Sequence, residues 1–243
     1  MSDYTVICMK WGNKYGADYV NRLYNMVARN TTLNFKFICF TDNGEGIDPH
    51  VEVRPLPEMN LPEGPERGWR KLSCFRKDIG LEGRVLFLDL DTVIVSNIDQ
   101  YFLIDGDFRV IEHWHPSKKQ GIGETGVYRY EAGQLQDLYD HFMANIDKVK
   151  SEYRHEQAYV TDVLSKRGVL KFWPKEWMPS FKYNCMRPFP LCYFCDPVLP
   201  PKAKMVVFHG NPTPDQAMAG KTKGLKGIFR HVRTPQWLKD NWK

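Results

Sequence analysis

The stretch Arg84-Val85-Leu86-Phe87-Leu88-Asp89-Leu90-Asp91-Thr92-Val93-Ile94-Val95 decides how the rest of the 243-residue chain is read. It is apolar almost throughout and predicts a buried strand that carries two carboxylates. Side chains alternate faces along a strand, so Asp89 and Asp91 are expected to point the same way while Leu90 returns to the core. Like charges held side by side away from water repel and need a cation or a dense hydrogen-bond network. A divalent metal is the simplest partner. The plainer reading is that both residues leave the strand and cap a turn. The apolar run Thr92-Val93-Ile94-Val95 argues instead for a strand that continues.

Upstream, Thr5-Val6-Ile7-Cys8-Met9 predicts a first strand, followed by a polar loop from Lys10 to Gly16. Ala17, Val20, Leu23, Tyr24 and Val27 recur at helical spacing, with polar residues between them. Phe35 to Phe40 alternates as a second strand, and Thr41-Asp42-Asn43-Gly44 stops it. This order is a βαβ unit, and sheets of parallel strands bind ligands at the carboxyl ends of their strands. Lys10, Trp11, Tyr15, Thr41 and Asp42 are therefore candidate ligand contacts beside the aspartate pair. Pro55, Pro57, Pro62 and Pro65 mark an exposed connector that cannot join a sheet interior. Trp69 to Ile79 has helix spacing, with Lys71 available. Downstream, Phe108 to Ile111 and Gly126 to Tyr130 predict strands, and Gln134 to Phe142 and Glu156 to Leu164 predict helices. Met205-Val206-Val207-Phe208-His209-Gly210 is the last strand, apolar until it ends on a histidine and a glycine.

This alternation predicts one α/β domain over residues 1–243, with no Gly/Ser-rich or charged linker dividing it. Net charge is +5, which suits an anionic ligand or an acidic surface but, without an arginine-rich run, not a nucleic-acid partner. The 6 cysteines are scattered, and Cys8, Cys39 and Cys74 sit in apolar or helical contexts that suit buried thiols, so a reduced, cytoplasmic compartment is expected. Cys192-Tyr193-Phe194-Cys195 is a lone pair with no second pair at zinc-finger spacing. Tyr4 to Met9 is too short for a signal peptide, and no apolar run is long enough to cross a bilayer.

His209 stands at the end of an apolar strand, as the aspartates do. Two carboxylates and an imidazole suit Mn2+ (or Mg2+), although a lone histidine there also fits a core or capping role. Gly210 lets the following backbone approach a ligand closely, and Asn211-Pro212-Thr213-Pro214 is a rigid turn.

The strand ending Asp-x-Asp, the lysine-bearing segment before it and the late Phe-His-Gly together resemble the GT-A glycosyltransferases, above all family 8 and its bacterial relatives. The resemblance spans Val6 to His209. It implies a Rossmann-like mixed sheet with helices on both faces. It also implies a Mn2+-dependent transfer of a sugar from a nucleotide donor, usually a uridine diphosphate sugar, with retention at the anomeric carbon. Carried over by position, Asp89 would hold ribose and metal, Asp91 and His209 the metal, and Lys71 would orient carboxylates and donor sugar. Glu156-Gln157 stands where the family often has Asp-Gln at the reacting sugar, and Glu124-Thr125-Gly126 where relatives carry Asn-Ser. Both are departures. Ser180 and Lys182 match a Ser-x-Lys, whose lysine would meet the leaving phosphate.

Two rivals remain. The Asp-x-Asp-Thr-Val run also fits haloacid-dehalogenase-type phosphatases, with Asp89 as nucleophile and Asp91 as acid, and a non-catalytic carbohydrate-binding domain would tolerate the two glutamate departures. Residues 221–243 mix Lys221, Lys223, Lys226, Arg230, Arg233, Lys239 and Lys243 with Leu225, Ile228, Phe229, Trp237, Leu238 and Trp242. Such a tail can rest peripherally on an anionic membrane, bringing the enzyme to a lipid-linked or lipopolysaccharide-type saccharide acceptor. Alternatively, its tryptophans can pack on the domain.

Overall fold

A computed structural model describes residues 4–114, 121–221 and 231–243. Its centre is a seven-stranded mixed sheet. The strands are β1 (Tyr4–Lys10), β2 (Phe35–Thr41), β3 (Glu52–Pro55), β4 (Arg84–Leu88), β6 (Phe108–Glu112), β7 (Gly123–Glu131) and β8 (Leu170–Phe172), in spatial order β3-β2-β1-β4-β7-β6-β8. A separate two-stranded sheet pairs β5 (Thr92–Ile94) with β9 (Met205–Val207). The β3-β2-β1-β4 half is parallel, and β7 is antiparallel to both β4 and β6. Parallel strands need crossovers, and α1 (Ala17–Asn30) makes the first.

Both sheet faces are covered, as the unbroken burial along β1 and β4 requires. Val6, Cys8, Leu86 and Leu88 face Tyr19, Val20 and Leu23 of α1. Ile7, Val85 and Phe87 face the other layer, where α3 (Gln136–Ala144) and α5 (Glu156–Lys166) contribute Leu138, Phe142, Tyr159 and Leu164. The predicted periods are therefore the real ones. Beyond them lie α2 (Gln100–Leu103), α4 (Ile146–Glu152), α6 (Pro214–Met218) and α7 (Gln236–Asn241).

Three expectations are corrected. The strand predicted through Val95 breaks. β4 stops at Leu88, the amide of Thr92 donates to the Asp89 carbonyl at 3.1 Å, and β5 leaves in the other sheet. The two aspartates thus stand on a turn. Leu90, 4 % exposed, is the turn's inward anchor. A sheet interior offers two carboxylates neither solvent nor partners, so the strand ends at them: Asp89 is left partly exposed, and Asp91 stays buried but is paired with a hydroxyl. The helix predicted from Trp69 to Ile79 is two 3-10 turns, Trp69–Phe75 and Lys77–Ile79, separated by Arg76 in extended geometry. Trp69, Leu72, Ser73, Cys74 and Phe75 are all buried, so packing on several sides overrides one-faced helical spacing. Pro55, placed in the connector, ends β3; it is tolerated there because β3 is an edge strand.

Candidate active site

The parallel order β2-β1-β4 brings the carboxyl ends of three strands together. There, Lys10, Trp11, Tyr15, Lys71, Asp89 and Asp91 line a cleft of about 390 Å³ with Lys14, Glu66, Arg67 and Gly68. Lys71 holds Asp89 with contacts of 2.7 and 2.9 Å and also donates to the Thr125 carbonyl at 3.1 Å. Burial works against its charge, but Asp89 and Glu156 outweigh burial and keep the ammonium above its usual range. Tyr15 donates its hydroxyl to Asp91 at 2.7 Å. Burial first, and then repulsion from Asp89, pushes the Asp91 carboxyl up to about 6, although Tyr15 and Lys14 pull it down.

At the neighbouring strand end, Lys10 donates to the Asn43 carbonyl at 2.9 Å and stands 3.9 Å from Asp42. Asp42 accepts the Gly12 amide at 2.7 Å, which holds its carboxyl below the usual range. Thr41 is buried and bridges to Lys10 at 3.4 Å. Of the residues expected beside the aspartates, Lys10, Trp11 and Tyr15 line the cleft, while Thr41 and Asp42 are not on its lining. The sequence reading missed Lys14 and Arg67, loop residues outside any pattern.

Glu156 opens α5 as expected, but the described cleft wall does not include it. It is 4 % exposed, packed behind Lys71, and a Cβ on Gly68 would stand 2.8 Å from its carboxylate oxygen. Gly68 itself has φ +82, so glycine serves both backbone and space there. Burial pushes the Glu156 carboxyl up to about 7 against the pull of Lys71 and Thr125. Gln157 follows in the first helical turn, half-buried.

His209 lies two residues past β9, whose Val207 pairs with Thr92 directly after the aspartate turn. Its immediate partners are others. Nε2 is 2.7 Å from the Ser180 hydroxyl, Trp114 stacks on the ring with centroids 5.1 Å apart, and Tyr183 stacks at 5.3 Å. Burial, then Lys182 and His113, lowers its pKa to about 4. Glu124 is 3.5 Å from His113. Gly126 lies between the two groups: a Cβ there would be 3.3 Å from Asp89 and 3.8 Å from Val207. Gly210 takes φ +79, and the turn after it caps α6 through Thr213 and Gln216. Trp114 and His113 carried no sequence signal. Among the described residues, no three His, Cys, Asp or Glu side chains gather closely enough to enclose a metal.

No protein-family model matches the chain, and no curated protein sequence matches it. Solved structures do. The glycosyltransferase GlyE from Streptococcus pneumoniae TIGR4 aligns with TM-score 0.62 at 12% identity, over 86% of this chain and 56% of GlyE. The galactosyltransferase LgtC, in complex with donor and acceptor sugar analogues, aligns at 0.58 and 11% identity over 86% of this chain and 88% of LgtC. The bifunctional glycosyltransferase WbbM aligns at 0.59 and 12% identity, over 88% of this chain and 47% of WbbM. The fold is that of the GT-A glycosyltransferases. The chain spans about half the length of GlyE and of WbbM.

Asp91 directly precedes β5 and His209 lies two residues past β9, and Thr92 pairs with Val207 between those two strands. The tail is settled in part. Trp242 donates to Asp215 at 2.8 Å and packs edge-on against Tyr19, and Trp237 donates to the Pro197 carbonyl at 3.0 Å. These two rings pack on the domain. Lys223, Leu225, Lys226, Ile228, Phe229 and Arg230 lie outside the described residues. Among the described residues no helix is long and apolar enough to cross a membrane.

Proposed function

We propose that this protein is a glycosyltransferase that moves a sugar from a nucleoside diphosphate donor, foremost a uridine diphosphate sugar, to a hydroxyl of a saccharide or glycolipid. Retention at the anomeric carbon follows the family resemblance. The observation that carries the reading is the cleft itself: a half-buried Asp89 and a buried Asp91 lined by Lys10, Lys14, Arg67 and Lys71, within a GT-A fold.

The donor set fits a divalent cation. Asp91 is buried and strained by Asp89, and a hard cation favours oxygen ligands and relieves that repulsion. Asp89 and Asp91 would hold Mn2+ or Mg2+; His209, expected from the sequence as a further ligand, is engaged by Ser180 and does not gather with the two aspartates into a three-residue site. When bound, the ion supplies positive charge against the diphosphate.

The chain's own residues do the rest. Lys71 fixes Asp89 in one orientation through two contacts, and Tyr15 does the same for Asp91. Lys10, Lys14 and Arg67 bring preset positive charge to where the leaving diphosphate gathers negative charge, so the barrier falls without a proton donor on that group. Trp11 and Tyr15 offer flat surfaces to a nucleobase. Lys182, beside His209, meets phosphate from the other side. Glu156 helps keep Lys71 charged, and Gln157 follows it in the same first turn, where the family resemblance puts an amide near the reacting sugar.

Calorimetric titration with uridine diphosphate tests the reading. Binding is expected with Mn2+ and little or none in chelator, because carboxylates and diphosphate repel without a bridging cation. Equal affinity in both would remove the metal. No binding of any nucleoside diphosphate or its sugars in either buffer would remove the transferase and favour the carbohydrate-binding alternative.

A further inference from the structure

The segment after the Ser180 contact to His209 is built inside out. Cys185 and Cys192 are buried, while Phe189, Leu191, Phe194 and Val198 are exposed, Phe194 by 76 %. Most of the large apolar side chains exposed among the described residues fall within Tyr183 to Val198. Scattered apolar surface needs no explanation, but a contiguous patch does.

The segment is held in place. The Val198 amide donates to the Cys185 carbonyl at 2.9 Å, Trp237 donates to Pro197 at 3.0 Å, and Arg233 pairs with Asp196 at 2.7 Å. The fold therefore spends small thiols inward and presents aromatic rings outward on a fixed platform.

Charge selects the partner. From Pro179 to Lys204 the chain has one acid, Asp196, which Arg233 engages, against Lys182, Arg187, Lys202 and Lys204; Lys202 stands 3.7 Å from the exposed Glu176, and Lys204 donates to the Asn97 carbonyl at 3.0 Å. Exposed rings and aliphatic groups within a cationic rim match a bilayer interface bearing anionic headgroups: apolar groups enter the headgroup boundary and cations remain at the surface. We propose that Met186 to Val198 docks the protein on an anionic lipid surface, with the His209 pocket beside it through Tyr183. This contact lies outside the basic tail and stands whatever reaction the cleft performs.

Vesicle flotation at low salt tests it, using phosphatidylcholine with phosphatidylglycerol against phosphatidylcholine alone. The wild type is expected to float with the anionic vesicles, and Phe189→Ser/Leu191→Ser/Phe194→Ser to lose at least about tenfold in partitioning while keeping its circular dichroism. Should the triple variant fail to fold, Arg187→Glu/Lys202→Glu keeps the apolar patch and is expected to weaken flotation on anionic vesicles only. Cys195 gives an independent readout, being exposed while the other cysteines are buried. An environment-sensitive dye on it is expected to shift to the blue when anionic vesicles are added. Absence of flotation, equal flotation of wild type and variants, or flotation without a dye shift would overturn the proposal. So would a dimer in light scattering that the triple variant disperses, with no vesicle binding, since the patch would then be a self-contact.

Discussion

The aspartate cleft and the His209 pocket are joined through the β5–β9 pair, yet they carry opposite electrostatic loads. In the cleft, acids crowd one another: burial and Asp89 push Asp91 up to about 6, and burial pushes Glu156 up to about 7. In the pocket, burial and two neighbouring bases push His209 down to about 4. In the cleft Lys71 already pairs with Asp89 while Asp91 has the neutral Tyr15 hydroxyl, and in the pocket Glu124 stands by His113 while His209 has the neutral Ser180 hydroxyl. Under the proposed reading, a cation at Asp91 and an anionic diphosphate beside His209 and Lys182 would each meet the charge that burial disfavours there.

The largest break in the comparison is removal of Lys71, which bridges Asp89 and neighbours Glu156. Lys71→Ala strands both carboxylates and is expected to cost roughly 3 kcal/mol in urea unfolding, reduced from the fully buried case because Asp89 is 33% exposed. A loss below about 1 kcal/mol would mean that the cleft does not depend on this cation.

Glu156 sharpens the comparison through pH. Its folded pKa, about 7, lies above its ordinary 4.5, so the folded state binds the extra proton. Its contribution is complete below pH 4.5 and is lost as pH rises through about 7. The melting temperature of Glu156→Gln should therefore match wild type in acid and exceed it above neutrality, by an amount equivalent to about 3 kcal/mol at most. Parallel curves across that range would show that Glu156 titrates normally.

On the pocket side the effect is smaller. Ser180→Ala removes the hydroxyl on His209 Nε2 and is expected to cost about 1–2 kcal/mol, since Ser180 is fully buried. Ring-proton NMR should show His209 titrating differently in the variant; an unchanged titration would place the hydroxyl outside its control. Least costly is Tyr15→Phe, at about 1 kcal/mol, because a single neutral donor is lost. Without that hydroxyl Asp91 should hold its proton to still higher pH, which carboxyl NMR can follow.

Periodicity made most of the frame legible. β1, α1, β2, β7, α3 and α5 lie where apolar spacing put them, because residues facing a two-sided core must repeat with the period of their element. The aspartate pair was legible for a related reason: two acids in an apolar run are too costly to be incidental. β8 has three residues and β3 four, too few to show a period. The break at Asp89 to Asp91 was not legible either, since Thr92 to Ile94 is as apolar in its small second sheet as it would be in the large one.

By itself, then, the sequence determined a βαβ-built sheet, one acidic strand end with Lys10, Trp11 and Tyr15 beside it, and a late histidine at a strand end. Tertiary structure alone decided that Lys71 sits on a 3-10 turn and grips Asp89, and that Glu156 lies behind it rather than on the cleft wall. It also decided that His209 is held by Ser180 and Trp114 from remote segments. The reason is physical. Periodicity records how much of an element is buried, and that is written locally. Which charges face each other across a cleft depends on how distant turns pack, and no local pattern carries that.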